Sequence, residues 1–332
     1  MKLSDFDYNL PEELIAQEAV KPKDSSKLMV VNKDFVEHKH FYDLIDYLEK
    51  DDVLVINETK VSKAKICGKK ITGSDVEVIL CEKINDYEFI SRIKVNNVNP
   101  GNKYVFNKGL ECEVIGQYGE VFKIKFNKKI DNKLLDEQFE LPLPNYVKRK
   151  VTDETEYQTV YSKQEGSLAA PTAGLHFTEE LLKKIEEKGV KIARVCLHID
   201  FGTFLPVRGE IQDHKMHKEY FEISEDDADI INNGKGMLVL VGTTSVRALE
   251  SAANSDGKIV PQKSNTEIFI YPGYDFKVKF DALITNFHLP KSTLLMLVSA
   301  YYGREKVLEV YEEAVKEKYR FYSLGDSMVL VK

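Results

Sequence analysis

The stretch AAPTAGLHFT, Ala169 to Thr178, is poor material for either a helix or a strand, yet it delivers a histidine and an aromatic ring at its end. Imidazole is the side chain whose ordinary pKa lets it move protons near neutrality, and it is as often a structural tie, so what a small-residue loop with His176 at its end serves is open at this point. A second chemical loop is VGTTSVRALES, where a strand ends at Gly242. There Thr243, Thr244 and Ser245 offer hydroxyls and backbone N–H groups at a helix start, with Arg247 close behind. Such a turn suits a carboxylate or phosphate, or else is plain capping by Thr244 or Ser245. Arg247 opposes the helix dipole and requires a compensating partner. A third loop, NFHLPKST, repeats the geometry with Asn286 and His288 after a strand and a cap at Ser292 or Thr293. LHIDFGTFLPVR supplies His198 and Asp200 at a strand end, and DHKMH an HxxH spacing that lacks further ligands, so no metal site is expected. No Walker loop and no GxGxxG follows a strand.

These loops need a scaffold, and the periodicity supplies one. Pro11 to Gln17 predicts a helical stretch, and DVLVIN, Asp52 to Asn57, an apolar strand. The runs VEVILCE, YEFISRIKV, KYVFNK, LECEVIGQY and EVFKIKFN then alternate with period two between Gly, Asn and Pro turns, which predicts a small antiparallel barrel. LPLPNYVKRK, Leu141 to Lys150, reads as a connection. Beyond it, helical TEELLKKIEEKG, capped by Thr178 and stopped by Gly189, precedes the strand VKIARVCLHI. MLVLVG into TSVRALESAA and DALITNFH into KSTLLMLVSAYYG follow. This half predicts an α/β domain with a partly parallel sheet, to which Asp52 to Asn57 also belongs. The expected organisation is a discontinuous α/β domain, residues 1–59 and 151–332, with a barrel inserted at 60–150. Its ligands belong at the carboxyl ends of the strands.

The 332 residues, 43% of them apolar, can bury substantial cores. No window resembles a membrane span and the first residues lack a signal-peptide pattern, so a cytoplasmic protein is expected. The widely spaced Cys67, Cys81, Cys112 and Cys196 predict buried free thiols. Charge is uneven. Residues 60–150 hold 18 Lys and Arg against 12 Asp and Glu, an excess of six in a chain whose net charge is −7. Lysine-rich strands protected from edge pairing explain this, as does a polyanion surface.

The motifs YQTVYSKQEGSLAAPTAGLHFT, HxxxGTFxPVR, DHKMHxEY, GTTSVRALES, TEIFIYPGY and DALITNFHLPKSTLLMLVSAYYG are collinear along the chain. Together with FDYNLPEELIAQ at the start and YRFYSLGDSMVL at the end, they resemble those of the S-adenosylmethionine:tRNA ribosyltransferase-isomerase family. The resemblance implies a fold of the kind deduced above. It also implies a reaction of queuosine biosynthesis: the ribosyl part of S-adenosylmethionine passes to the aminomethyl group of a 7-deazaguanine at the tRNA wobble position. Isomerisation gives the epoxycyclopentane of epoxyqueuosine, and adenine and methionine leave. S-adenosylmethionine is then a consumed co-substrate, with no cofactor and no metal, and a monomer is expected. A conventional RNA methyltransferase or a non-catalytic tRNA-binding module are the alternatives.

The ring formation which that reaction implies needs a positioned acid/base, for which His176 is the first candidate, a structural tie being the alternative, and His198, His214, Asp281 and His288 stand behind it. With those substrates, the small residues around Gly174 would let a flat nucleoside approach the backbone, and Phe177 would offer a ring face to base or sulfonium. Substrate contacts are expected from Pro171, Thr172, Gly174, Phe177, Thr243, Thr244, Ser245, Arg247, Asn286 and His288, and tRNA contacts from Lys148, Arg149 and Lys150. Lys27 and Lys60 stand where the family pattern leads one to expect arginine, and Asp200 where it has glycine. At the first two, charge is kept without the guanidinium fork.

Overall fold

The computed structural model describes residues 1–149, 153–200, 207 and 209–332. The chain forms two compact units, Met1–Lys60 with Pro144–Lys332, and Val61–Leu143.

In the first unit the strands are β1 (Lys27–Val31), β2 (Val36–His40) and β3 (Val53–Asn57), with β4 (Thr59–Val61) leading into the insertion. The insertion contains β5 (Lys65–Lys70), β6 (Asp75–Lys83), β7 (Glu88–Lys94), β8 (Lys103–Val105), β9 (Glu111–Tyr118), β10 (Val121–Phe126) and helix α1 (Asn132–Gln138). After it come β11 (Gln164–Ser167), α2 (Glu179–Glu187), β12 (Lys191–Leu197), β13 (Glu219–Ile223), α3 (Glu225–Asn232), β14 (Leu238–Val241) and α4 (Gly242–Ala252). The chain closes through β15 (Gln262–Thr266), β16 (Ala282–Asn286), α5 (Thr293–Tyr302), α6 (Arg304–Lys316) and β17 (Ser327–Val331).

The large sheet has the order β15-β13-β12-β3-β14-β16-β17-β1-β2. Its centre, β12-β3-β14-β16, is parallel, and antiparallel partners flank it on both sides. All five residues of β3 are buried, as a strand covered on both faces requires. One layer of core packs α4, α5 and α6 against one face through Val246, Leu249, Leu295 and Tyr311. The other face carries Phe41, Phe177, Leu181 and Ile185. Thr178 caps α2 by accepting from the Leu181 N–H at 3.2 Å, and Gly189, at φ +95°, ends the turn that follows. Ser292 caps α5 in the same way through the Leu295 N–H.

The insertion is a closed barrel, β10-β7-β6-β5-β8-β9, antiparallel throughout. Tyr104, Leu110, Val114, Ile124 and Phe126 fill it. Gly68 is obligatory there, since a Cβ would lie 2.4 Å from both the Phe106 ring and the Val105 carbonyl. Most of its lysines face carboxylates of the same unit, among them Lys69–Asp75, Lys83–Asp86, Lys108–Glu137 and Lys123–Glu88. Residues 61–143 carry 14 Lys and Arg against 12 Asp and Glu, so four of the excess charges, Lys60 and residues 148–150, lie outside the barrel.

Two local expectations fail. Pro11 to Gln17 forms only a single 3₁₀ turn at Glu12–Leu14, because its backbone is used by a neighbour: Phe321 N–H donates to the Leu14 carbonyl and Ala16 N–H to that of Phe321. All four cysteines are free, but only Cys112 and Cys196 are buried. Cys67 is exposed on a barrel strand whose alternation turns it outward.

Candidate active site

Two adjoining pockets open where β14 and β16 end, within the α/β unit. Thr172, His288 and Leu294 line both. The first runs along Ala170, Pro171 and Ala173 to Gly242, Thr243 and Thr244. The second is bounded by Tyr146, Asn286, Phe287, Leu289 and Tyr322.

The first pocket ends on the start of α4. Gly242 has φ +82°, a conformation that favours glycine and turns strand directly into helix. Neither anticipated cap forms there. The N-cap position is Val241, without a side-chain bond; Ser245 Oγ bends back to the Val241 carbonyl at 2.7 Å, and the buried Thr244 Oγ1 has no partner. The first-turn N–H groups and this hydroxyl therefore form a donor cluster at the positive end of the helix dipole, suited to an anion. Arg247 takes no part in lining it. Its guanidinium is buried against the Glu219 carboxylate, with Nε on the Ile268 carbonyl at 3.3 Å. Glu219 is thus the compensating partner that the dipole argument demands.

AAPTAGLHFT folds as a 3₁₀ turn over Thr172–His176. Its small residues serve packing on one side and the pocket on the other. A Cβ at Gly174 would lie 1.9 Å from the Tyr161 hydroxyl, so the space there is already filled by that ring. Phe177 is fully buried, edge-on to Phe41 at 4.8 Å. His176 lies between Ser26 Oγ, 2.8 Å from Nδ1, and Asn286 Nδ2, 3.0 Å from Nε2, with its ring stacked on Phe41. Burial, and then the charges of Arg320 and Lys23, push its pKa down to about 3. Burial alone does the same to His288. His288 differs in that, among the described residues, only Nε2 is bonded, to Thr285 Oγ1 at 2.8 Å; its backbone is pinned by Tyr311 and Tyr8, and the residue lines both pockets.

The remaining candidates stand apart. His198 Nδ1 bonds Thr59 Oγ1 at 2.7 Å, and its ring stacks on Tyr220. His214 packs edge-on against Phe269, and Asp281 Oδ2 accepts from the Leu238 N–H. Lys27 Nζ reaches the Glu317 carbonyl past the end of α6, and Lys60 pairs with Glu165 at 2.7 Å. Asp200 N–H donates to Glu219 Oε1. Lys148 pairs with Glu12 at 2.8 Å, and Arg149 with Glu156 and the Gln17 carbonyl. Lys150 lies outside the described residues. Tyr146 and Tyr322 escaped sequence reasoning; their only signal was an aromatic residue in each of two loops without periodicity.

The queuosine biosynthesis protein family model matches residues 3–330. The chain belongs to that family. Its relatives include S-adenosylmethionine:tRNA ribosyltransferase-isomerases of Desulforamulus reducens, 48% identical over the whole of both chains, and of Acetivibrio thermocellus, 49% identical over 99% of this chain and 100% of that one. The Fusobacterium nucleatum enzyme of that name is 49% identical over 99% of this chain and 96% of its own. The crystal structure of S-adenosylmethionine tRNA ribosyltransferase from Thermotoga maritima is also similar. It is 34% identical, with a TM-score of 0.55 over 99% of this chain and 100% of that one. A discontinuous α/β domain with an inserted antiparallel barrel is thus the architecture on which this family member builds its site. Among the described residues no three His, Cys, Asp or Glu side chains gather as a metal site, and no helix is long and apolar enough to cross a membrane.

Proposed function

We propose that the protein is an S-adenosylmethionine:tRNA ribosyltransferase-isomerase. It transfers the ribosyl part of S-adenosylmethionine to 7-aminomethyl-7-deazaguanine at the tRNA wobble position, isomerises it to epoxyqueuosine, and releases adenine and methionine. Full-length identity of 48–49% to enzymes of that name carries this assignment. The paired pockets are consistent with a reaction that holds a nucleoside, an amino acid moiety and a base together.

Within the site, the carboxylate of the methionyl group lies at the start of α4, on the N–H groups of Gly242 and Thr243 and the unpartnered Thr244 hydroxyl. His288 exchanges protons with the substrate, because the residue lines both pockets and, among the described residues, only its Nε2 is bonded. His176, whose two nitrogens are both taken, acts through Asn286 as a positioning residue. Pro171 and Thr172 form the wall between the pockets, while Gly174 and Phe177 hold that wall from behind. The tRNA lies against Lys148, Arg149 and Lys150. The protein works in the cytoplasm as a monomer without metal or other cofactor.

The deciding experiment incubates the protein with S-adenosylmethionine and precursor tRNA and separates the products by chromatography. Adenine and methionine in equal amounts are expected. S-adenosylhomocysteine without adenine would make it a methyltransferase, and tRNA binding without products a binding module.

A further inference from the structure

Asn286 ends β16 with its side chain 1% exposed, and its amide orientation is fixed by its surroundings. Nδ2 faces the carbonyls of Tyr322 and Asp326, at 3.2 and 3.4 Å, as well as His176 Nε2 at 3.0 Å. Carbonyls only accept, so a flipped amide would set oxygen against oxygen. His176 Nε2 is then the acceptor, and Nδ1–H donates to Ser26. This leaves Asn286 Oδ1, buried and without a partner among the described residues, on a residue that lines the second pocket. Buried acceptors in folded proteins are nearly always satisfied, and one left open in a pocket wall marks a place for a donor. Most of the surface of that wall is aromatic or apolar, from Phe287, Leu289, Leu294 and the rings of Tyr146 and Tyr322, whose centroids lie 4.6 Å apart, and Thr172, His288, Ser292 and Ser323 complete it.

We infer that the second pocket binds a flat, amino-bearing purine-type base, whose exocyclic N–H donates to Asn286 Oδ1 while its ring packs on Tyr146 and Tyr322. The inference rests on the proposed function, which supplies two such bases: the adenine of S-adenosylmethionine and the deazaguanine of the tRNA. A neutral acceptor in an apolar wall selects an amine over a ring atom that only accepts, because the desamino analogue leaves the acceptor unsatisfied.

Equilibrium binding to the intact protein tests this without turnover. Two pairs of free bases are compared: adenine with purine, and 7-aminomethyl-7-deazaguanine with its 2-desamino analogue. The amino-bearing member of one pair should bind about ten-fold tighter, which is one hydrogen bond's worth of discrimination. The pair that discriminates names the source. In Asn286→Ala, or in Asn286→Ser should the alanine variant not fold, that preference should fall to within two-fold. Equal binding within both pairs by the parent protein, or a preference that survives in the folded variant, overturns the inference. Absence of adenine release from the natural substrates overturns the proposed function instead, so the two failures are separate.

Discussion

Asn286 Nδ2 and His176 Nε2 lie 3.0 Å apart, and this bond ties the end of β16 to the 3₁₀ turn of AAPTAGLHFT. It spans two loops distant in sequence and fixes which imidazole nitrogen carries the proton. His176 is enclosed by the protein on both ring nitrogens, whereas His288 lines both pockets.

Kinetics should show that difference. His288→Ala strands, among the described residues, only the Thr285 hydroxyl and should lower kcat by about 100- to 10,000-fold, as loss of a proton carrier does, far more than its loss of stability and with KM little changed. His176→Ala should cost roughly 1–3 kcal/mol of stability through the hydrogen bonds it strands, and raise KM together with lowering kcat. A His176→Ala protein that keeps parental stability and KM but loses a thousand-fold in kcat would return the catalytic role to His176.

The same two histidines predict acid lability. Each has a folded pKa near 3, below the 6.5 of an unfolded chain, so between these values the unfolded state binds more protons. Their contribution is complete above about pH 6.5 and is lost as pH falls toward 3, at about 1 kcal/mol per pH unit from each. Urea melts at pH 7, 6 and 5 measure this, and His176→Gln should flatten the slope by about half. An unchanged slope would mean that the ring is not held neutral.

Much of the α/β scaffold was legible because its strands are continuous apolar runs and its helices carry caps, as at Thr178 and Ser292. The barrel strand Lys65–Lys70 was hidden by its own composition: only Ile66 is buried, and Gly68 replaces a second inward side chain. Pro11 to Gln17 misled because the helix signal is local, whereas the bonds that win are made with Phe321, some three hundred residues away. In the site, sequence order pointed to the three strand-end loops. It did not reveal that Arg247 pairs with Glu219, nor that Tyr161 occupies the gap at Gly174, because both depend on partners distant in the chain.

The buried Arg247–Glu219 pair makes Arg247 a stability residue. Arg247→Met takes a guanidinium away from a buried carboxylate and should cost about 3–5 kcal/mol by denaturant unfolding. A variant as stable as the parent, with an altered KM, would instead place Arg247 on a substrate.

At the start of α4, Thr244→Val keeps volume and removes only the unpartnered hydroxyl. If that hydroxyl helps hold the methionyl carboxylate, KM for S-adenosylmethionine should rise about ten-fold or more, as expected for a charge-assisted bond, with KM for tRNA unchanged. A rise confined to tRNA would put a phosphate there.

The basic connection before the second half of the α/β unit offers a test of tRNA contact residue by residue. Lys148 is exposed and, among the described residues, its Nζ pairs with an exposed Glu12, a contact worth little in water that a phosphate can displace. Arg149 is half-buried and committed to Glu156 and to the Gln17 carbonyl. Lys148→Ala should therefore leave the melting temperature unchanged while weakening tRNA binding and reducing the slope of log Kd against log salt by about 0.7 to 0.9, the release of one phosphate's counterions. Arg149→Ala should lower the melting temperature, because it frees a partly buried carboxylate, and should move the salt slope less. Replacing Lys148, Arg149 and Lys150 together gives the full electrostatic contribution of the segment. A triple variant with the parental salt slope would show that tRNA is gripped elsewhere.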